Sequence, residues 1–485
     1  MAAKRFFRLA TCLAGGLLGG CAAVGPDYVA PPLPARISEQ SSSAFEAAAS
    51  NAYSQAPLPR YWWRLYADPR LDALVEEALH ANTDVRAAAA NLERAQAAVL
   101  EARAAAGVQT SVEGGPSVGQ TSTLGVAPAD GTHGLIDASL GISYQVDIVG
   151  QIRRMIEMNA ADAQAQAGAY DLVRTTVAAN VVGAYTDACA MGARLVVGRH
   201  SATLQRQSLA LTERGVRAGI YSPLDATRLR ALLAELESAL PPLEGMRRTA
   251  LYTLAVLTGR APTGFPAELA NCKEIPKLTH PMPVGDGAAL IKRRPDIRQA
   301  ERNLAAATAA IGVETAALYP TITLGAGIGT TSRMGSNAFS GSAFHYSVGP
   351  LISWTFPNRQ VARARIAQAG ATARAALAGF DGAVLDALRE AESALTLYAR
   401  HTEQNDRLRT ARDENRSAAR LQNRLAKGGT VSSLEALDVE RTLAAAESAL
   451  AASDATLAAD RVRIFLALGG GWETDDTDQD RRNGY

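Results

Sequence analysis

The stretch NTDVRAAAANLERAQAAVLEARAAAGVQ, Asn82 to Gln109, has a second version in the same chain: RPDIRQAERNLAAATAAIGVETAALYPT, Arg294 to Thr321. At an offset of 212 residues Asp84 matches Asp296, Arg86 matches Arg298, and Asn91-Leu92 matches Asn303-Leu304. Both copies are rich in Ala, Leu, Glu and Arg, a helix-forming composition. Each runs into a short apolar or Gly-rich alternating stretch, Val108–Gly119 and Thr321–Thr330, and then through a Gly/Ser loop. A second strand-like stretch follows in each half, Leu135–Asp147 and Phe344–Phe356. Each half next enters a long helical pattern, about 151–213 and 359–426, and closes with helices near Pro223–Leu257 and Ser433–Leu468. An internal duplication of this kind constrains architecture more firmly than any one propensity.

The two long patterns exceed ordinary globular helices and point to a coiled coil or a helical tube. About 60 helical residues at ~1.5 Å each extend roughly 90 Å. Alanine dominates, as in Ala160–Ala169 and Ala444–Ala459, and it lets helices approach closely at little entropic cost. A tube packed around an axis and a solid coiled-coil rod both fit this periodicity. The four strand-like stretches read as a pair of hairpins, four strands with exposed edges and too few apolar side chains for a private core, and oligomeric closure removes such edges. Three copies supply twelve strands, enough to enclose a lumen. The Gly/Ser/Asn runs Thr121–His133 and Ser332–Ser342 read as loops. Tyr144, Tyr346, Trp354 and Phe356 lie near strand ends, where interface aromatics are expected.

The N-terminus is a secretory signal. Lys4, Arg5 and Arg8 precede an apolar core from Leu9 to Leu18, well short of the ~20 residues that span a bilayer. The core ends in Leu18-Gly19-Gly20-Cys21, the bacterial lipoprotein pattern, in which a peptidase cuts after Gly20. Cys21 is therefore the expected lipidated N-terminus, and anchoring by more than one acyl chain is stable. Ala22 at the next position resembles lipoproteins sorted to the outer membrane. No later apolar stretch reaches spanning length, so a membrane crossing would require a closed β-barrel.

The full chain has 49 basic and 48 acidic side chains. Removal of the signal leaves 46 against 48, a balance that argues against nucleic-acid binding. Cys189 and Cys272 are the remaining cysteines after Cys12 and Cys21. With no ligand spacing around them, two unpaired, inert thiols are expected and no metal or other cofactor. No enzyme is expected either. The six histidines, His80, His133, His200, His280, His345 and His401, are scattered, and no G-x-S-x-G is present. A purely structural periplasmic coiled-coil lipoprotein is the other competitor, and the paired strand stretches speak against it.

Several motifs together resemble one family. These are Val24-Gly25-Pro26-Asp27-Tyr28, Pro31-Pro32, Trp62-Trp63, Asp68-Pro69, Tyr144–Gly150 with Arg153-Arg154, Arg293–Glu301, Ala316–Pro320, and Ala467-Leu468-Gly469-Gly470-Gly471-Trp472. Across about residues 21–472 the chain resembles the outer membrane factors (TolC-like) of tripartite RND-type efflux systems, in the nodulation-secretion branch. The resemblance implies a mainly α fold with a transmembrane β-barrel: a homotrimer whose twelve-strand barrel joins a twelve-helix α-barrel. It implies a periplasmic adaptor protein and an inner-membrane pump, RND-type, as partners, with outer-membrane lipid around the barrel. The function implied is a passive, gated exit duct for small molecules; a type I protein-secretion duct is the alternative.

The expected organisation is a signal peptide (1–20), a lipid anchor and N-terminal equatorial segment (21–64), a first repeat (65–260), an equatorial linker (261–290), a second repeat (291–472) and a disordered polar tail (473–485). Arg293-Arg294-Pro295-Asp296 reads as a helix start, with proline pre-shaped for the first turn and Asp296 at the positive dipole end. Tyr319-Pro320 reads as a helix stop. Gly469-Gly470-Gly471 lacks the Lys-Ser/Thr of a phosphate loop and reads as a flexible terminus. The candidate gate and adaptor-docking residues lie at the two helix–helix breaks. The first holds Gly215, Gly219, Ser222 and Asp225; the second holds Arg420, Arg424, Lys427, Gly429 and Ser432. Glycine permits a tight turn, and Ser222 and Ser432 are cap residues. Related channels often close with acidic rings; Ser432 stands where an Asp is common. Closure by apolar and salt-linked contacts is therefore expected, without an aspartate ring.

Overall fold

The computed structural model describes residues 23–32, 45, 53–54, 56, 58–119, 132–278, 281–335, 340–341, 343–354, 359–427 and 433–470. Both halves show one order of elements: helix, two strands, a long helix, and a closing helical segment. After Tyr53–Ser54 (β1), the first half comprises Pro69–Ala81 (α1), Thr83–Ala105 (α2), Gln109–Gly119 (β2), His133–Val146 (β3) and Gln151–Arg217 (α3). Its closing segment is Pro223–Ser238 (α4) and Leu240–Leu257 (α5). Met282–Pro283 (β4) pairs in parallel with β1. The second half comprises Gly287–Arg293 (α6), Pro295–Ala316 (α7), Thr321–Arg333 (β5), Phe344–Ser353 (β6), Arg359–Lys427 (α8) and Ser433–Ala467 (α9). The long helices α3 and α8 have 67 and 69 residues. The break between α4 and α5 is sharper than the helical pattern suggests. Pro241 and Pro242 fit the first turn of a new helix but not a helix interior.

The chain divides into two compact units. The first, residues 1–32, 91–167 and 299–380, holds an antiparallel sheet in the order β2-β3-β5-β6. Paired residues in such a sheet share a face, and the register sorts the side chains cleanly. Val112, Leu140, Ile328 and Tyr346 form one row across all four strands. Thr110, Ile142, Ala326 and Val348 form the next on the same face. The opposite face carries Glu113, Ser139, Gly329 and His345 in one row and Ser111, Gly141, Gly327 and Ser347 in another. Leu135 and Leu351 are the apolar exceptions on that polar face. The apolar face is uncovered by this chain: Val112 is 82% and Val348 80% exposed. β2 and β6 are edge strands, exposed along nearly their whole length.

The second unit, residues 33–90, 168–298 and 381–485, has a conventional core. Trp62 and Trp63 are fully buried, and the Trp62 ring stacks on Phe465 with centroids 4.3 Å apart. Asp68 caps α1 and also accepts from the Tyr185 hydroxyl at 2.6 Å. The helix-start motif is more than a start. Pro295 opens α7, while the buried Arg293 and Arg294 reach the last carbonyls of α9, Leu468 O at 3.1 Å and Ala467 O at 2.8 Å. Arg294 also pairs with Asp296 at 2.6 Å and Glu390 at 2.9 Å. Cations at a helix C-terminus satisfy carbonyls that have no intrahelical donor. Farther along, α8 and α9 are joined by His401 Nδ1 to Asp460 at 2.6 Å and Asn405 Nδ2 to Asp454 at 2.8 Å.

Two expectations are corrected here. Gly469 and Gly470 are not a flexible terminus but a buried cap. Gly470 N donates to Phe465 O and Gly469 N to Leu466 O, a Schellman arrangement in which Gly469 takes a φ of 82°. A Cβ on Gly470 would stand 2.4 Å from Thr175 Cγ2, so helix α3 itself demands glycine there. Residues 471–485, including the expected polar tail, lie outside the described residues. Cys189 and Cys272, expected as free thiols, form a disulfide. It ties the proline-rich segment around Pro262, Pro266 and Pro276 to α3. Gly192 is bare beneath the segment, with Cys272 O only 2.0 Å from where its Cβ would be. The two cysteines stand 83 residues apart in sequence, with nothing local to announce their contact.

Closing a loop of 83 residues restricts the unfolded chain strongly. The double variant Cys189→Ala/Cys272→Ala should lose ~2–4 kcal/mol of stability, read by urea denaturation followed by far-UV circular dichroism. An unchanged midpoint would mean that the surrounding contacts already hold the segment.

Candidate functional site

The first helix–helix break is built from interlocking caps. Ile220 N donates to Gly215 O at 2.9 Å and Gly219 N to Val216 O at 3.0 Å. This is the same glycine-ended turn as at the end of α9, with Gly219 at a φ of 74°. Gly215 is required for a different reason: a Cβ there would stand 2.1 Å from the Tyr221 ring. Ser222 then caps α4. Its hydroxyl accepts from Leu224 N at 3.1 Å, Asp225 Oδ2 accepts from Ser222 N at 3.1 Å, and Pro223 occupies the first helical position. The Asp225 carboxylate is thereby engaged in a capping box. Ile220 and Leu224 are exposed apolar groups around the turn, flanked by the exposed Arg217.

Of the second break, Arg420 and Arg424 are exposed on α8, and Arg420 Nη2 donates to Ser417 Oγ at 3.2 Å. Leu421 and Leu425 are exposed beside them. Lys427 ends α8. Gly429 and Ser432 lie outside the described residues, as does the expected lipidation residue Cys21. The structure thus assigns backbone roles to the four residues of the first turn and leaves the arginines of the second on the surface.

The helices behind these turns are cross-linked. α3 and α4 are joined by Arg206 to Glu237 at 2.6 Å, Arg230 to Glu213 at 3.3 Å, and Gln205 Nε2 to Leu229 O at 3.2 Å. α8 and α9 are joined by Arg416 to Glu447 at 2.8 Å. A cavity of about 310 Å³ lies among the four helices, lined by Leu232, Ala419 and Leu443 with Ser208, Glu440 and Glu447. Glu447 faces a cation, Arg416; Glu440 accepts from the Ser208 hydroxyl at 3.0 Å. Burial pushes the Glu440 carboxyl above the ordinary carboxylate range, and the Ser208 hydrogen bond offsets this only in part. Neither residue stands out in the sequence, because Ser208 and Glu440 are 232 residues apart. The one signal is a carboxylate inside an Ala- and Leu-rich helix.

Among the described residues no helix is long and apolar enough to cross a membrane, and no group of His, Cys, Asp and Glu could hold a metal ion.

Two segments, residues 74–260 and 288–470, match the family model described as "Outer membrane efflux protein". The chain is similar to Nodulation protein T of Rhizobium leguminosarum bv. viciae, 31% identical over 96% of this chain and 94% of that protein. It is similar to the antibiotic efflux pump outer membrane protein ArpC of Pseudomonas putida, 28% identical over 94% of each chain. Among solved structures, the outer-membrane channel OprN shares 32% identity at a TM-score of 0.84, covering 93% of this chain and 100% of that one.

A carboxyl whose folded-state pKa is raised contributes stability below its unfolded pKa, near ~4.3, and loses it as pH rises through the raised value. Wild type should therefore lose stability across the mildly acidic range towards neutrality. The Glu440→Gln variant should lack that loss and be the more stable form at neutral pH. Thermal melts from pH 4 to pH 8 would check it, and parallel curves would refute it.

Proposed function

The chain belongs to the outer membrane efflux protein family, and from that premise we propose how it serves as the outer-membrane channel component of an efflux pump. Three copies join edge to edge, β6 of one against β2 of the next, to close a twelve-strand barrel. Their long helices line up into a twelve-helix tube. The two-faced sheet carries this reading. One face presents Val, Leu, Ile, Tyr and Phe without cover from the chain, and the other presents Ser, Thr, Gly, Glu113, Asp137 and His345. Apolar-out, polar-in alternation over strands of 10–14 residues is what a bilayer and a wet lumen require together. The small residues on the polar side suit its concave curvature.

The lumen wall offers water-like groups and no deep apolar site, so the barrel passes solutes and does not select them. Energy comes from an inner-membrane pump, RND-type, coupled through a periplasmic adaptor. The similarity to ArpC, an antibiotic efflux pump outer membrane protein, supports small-molecule cargo over a type I protein-secretion duct. In this reading the gate lies at the α3–α4 and α8–α9 turns, where Arg420, Arg424 and Lys427 are the movable charges. Gly215, Gly219, Ser222 and Asp225 keep the first turn rigid. Cys21 carries the lipid.

Planar-bilayer conductance with lipidated protein tests both parts. Val348→Arg places a charge on the lipid-facing side and should cost membrane insertion ~2–4 kcal/mol, whereas Ser347→Arg, one residue away, should insert and lower cation conductance. Equal tolerance of the two would overturn the assigned faces. Separately, Arg424→Glu should convert a low, flickering conductance into a larger, steadier one; an unchanged trace would remove the basic approach from the gate.

A further inference from the structure

The segment just after the lipidation residue has a built seat. Arg154, in the first turn of α3, has a side chain only 5% exposed. Every donor it offers is directed at the N-terminal segment or its own helix. Nε donates to Val24 O at 3.1 Å, and Nη2 to Asp27 Oδ1 at 2.6 Å. Nη2 also reaches Gly25 O at 3.4 Å and Ala23 O at 3.5 Å, and Nη1 pairs with Glu157 at 2.7 Å. Val24 N donates to Val149 O at 2.9 Å. The fit leaves no room for side chains. A Cβ at Gly150 would stand 2.4 Å from Ala23 Cβ, and one at Gly25 would stand 2.5 Å from Gly312 Cα. A Cβ at Gly312 would meet Arg154 Cγ at 2.7 Å and Val24 O at 2.8 Å. Tyr28 extends the grip, its hydroxyl donating to Glu301 at 2.5 Å.

The seat's place in the fold gives it a purpose. In the sheet register Gln109, Val146, Thr321 and Ser353 are the terminal residues at one end of the four strands. Each is the residue at which a strand adjoins a helix-bearing segment. Val149 and Gly150 lie three and four residues past the end of β3, so residues 23–27 are fixed just beyond that end of the sheet. Cys21 is two residues upstream of Ala23, within ~7 Å of chain. We infer that Arg154, with Gly25, Gly150 and Gly312, is a seat that holds the lipidated N-terminus at the helix-bearing end of the sheet. The acyl chains at Cys21 then enter the bilayer leaflet nearest the helices, beside the strands whose depth they set. A buried cation clasping three carbonyls and a carboxylate is costly for a mere surface tail; it suits a tether that bears load.

This inference rests on the outer-membrane lipoprotein reading and is tested apart from conductance. Arg154→Gln and Gly312→Val are made in the full chain. Each is also made in a Cys21→Ala form exported by an ordinary cleavable signal, and each sample is scored for outer-membrane protein that resists urea extraction. Formation of the Cys189–Cys272 disulfide reports that every variant has folded. Both seat variants should reduce the resistant fraction several-fold when Cys21 is present and add no further loss to Cys21→Ala, because sites acting through one interaction are non-additive. Equal fold-losses in the two backgrounds would make Arg154 an ordinary helix-start contact and overturn the inference, as would no loss in the lipidated protein. A wild-type chain that resists extraction yet conducts nothing would sink the duct reading and leave the seat standing.

Discussion

An edge strand presents a row of backbone N–H and C=O groups that need partners, and this constraint governs the first unit. Its sheet has an apolar face that needs cover and two edge strands that need partners. Neither need is met within one chain. The proposed edge-to-edge closure meets both, and it explains why the polar face is rich in glycine and serine instead of packed side chains. Such a sheet has no core of its own within the chain.

The second unit solves a different problem, holding very long alanine-rich helices in register. Alanine permits close approach but contributes little area per residue, about 25 cal/mol for each Å² buried. Register therefore relies on a few heavy points. Trp62 and Phe465 stack at the core, and Arg293 and Arg294 bind the exposed carbonyls that end α9. The disulfide pins the intervening segment to α3. Polar links such as Asn405 to Asp454 recur between α8 and α9 and oppose sliding of one helix past the other. Surface ion pairs like Arg206–Glu237 contribute little energy each.

The turn residues singled out by type divide along physical lines. Gly215, Gly219, Ser222 and Asp225 were legible as a turn because glycine and capping chemistry are local. What escaped notice is that Asp225 is occupied by the cap, which follows from a three-residue spacing that also occurs by chance. Gly469 and Gly470 looked like a loose end because their neighbours, Thr175 and Arg294, come from distant sequence. Ser208 and Glu440, Cys189 and Cys272, and Arg154 with Val24 share that property: each is a long-range meeting of residues that are ordinary in isolation. Such contacts leave no periodic trace.

By itself, the sequence determined the duplicated order of helices and strands, the strand alternation, the lipidation pattern and the family. Local periodicity, turn chemistry and repeated motifs all act over a few neighbouring residues, so one dimension suffices to carry them. Only the tertiary structure decided which face of each strand joins which, that two cysteines pair, that the half-buried Glu440 meets the Ser208 hydroxyl, and that an arginine clasps residues 23–27. Those outcomes depend on register between elements far apart in the chain. Register is set by the summed packing of many side chains, a quantity that no single stretch of sequence contains.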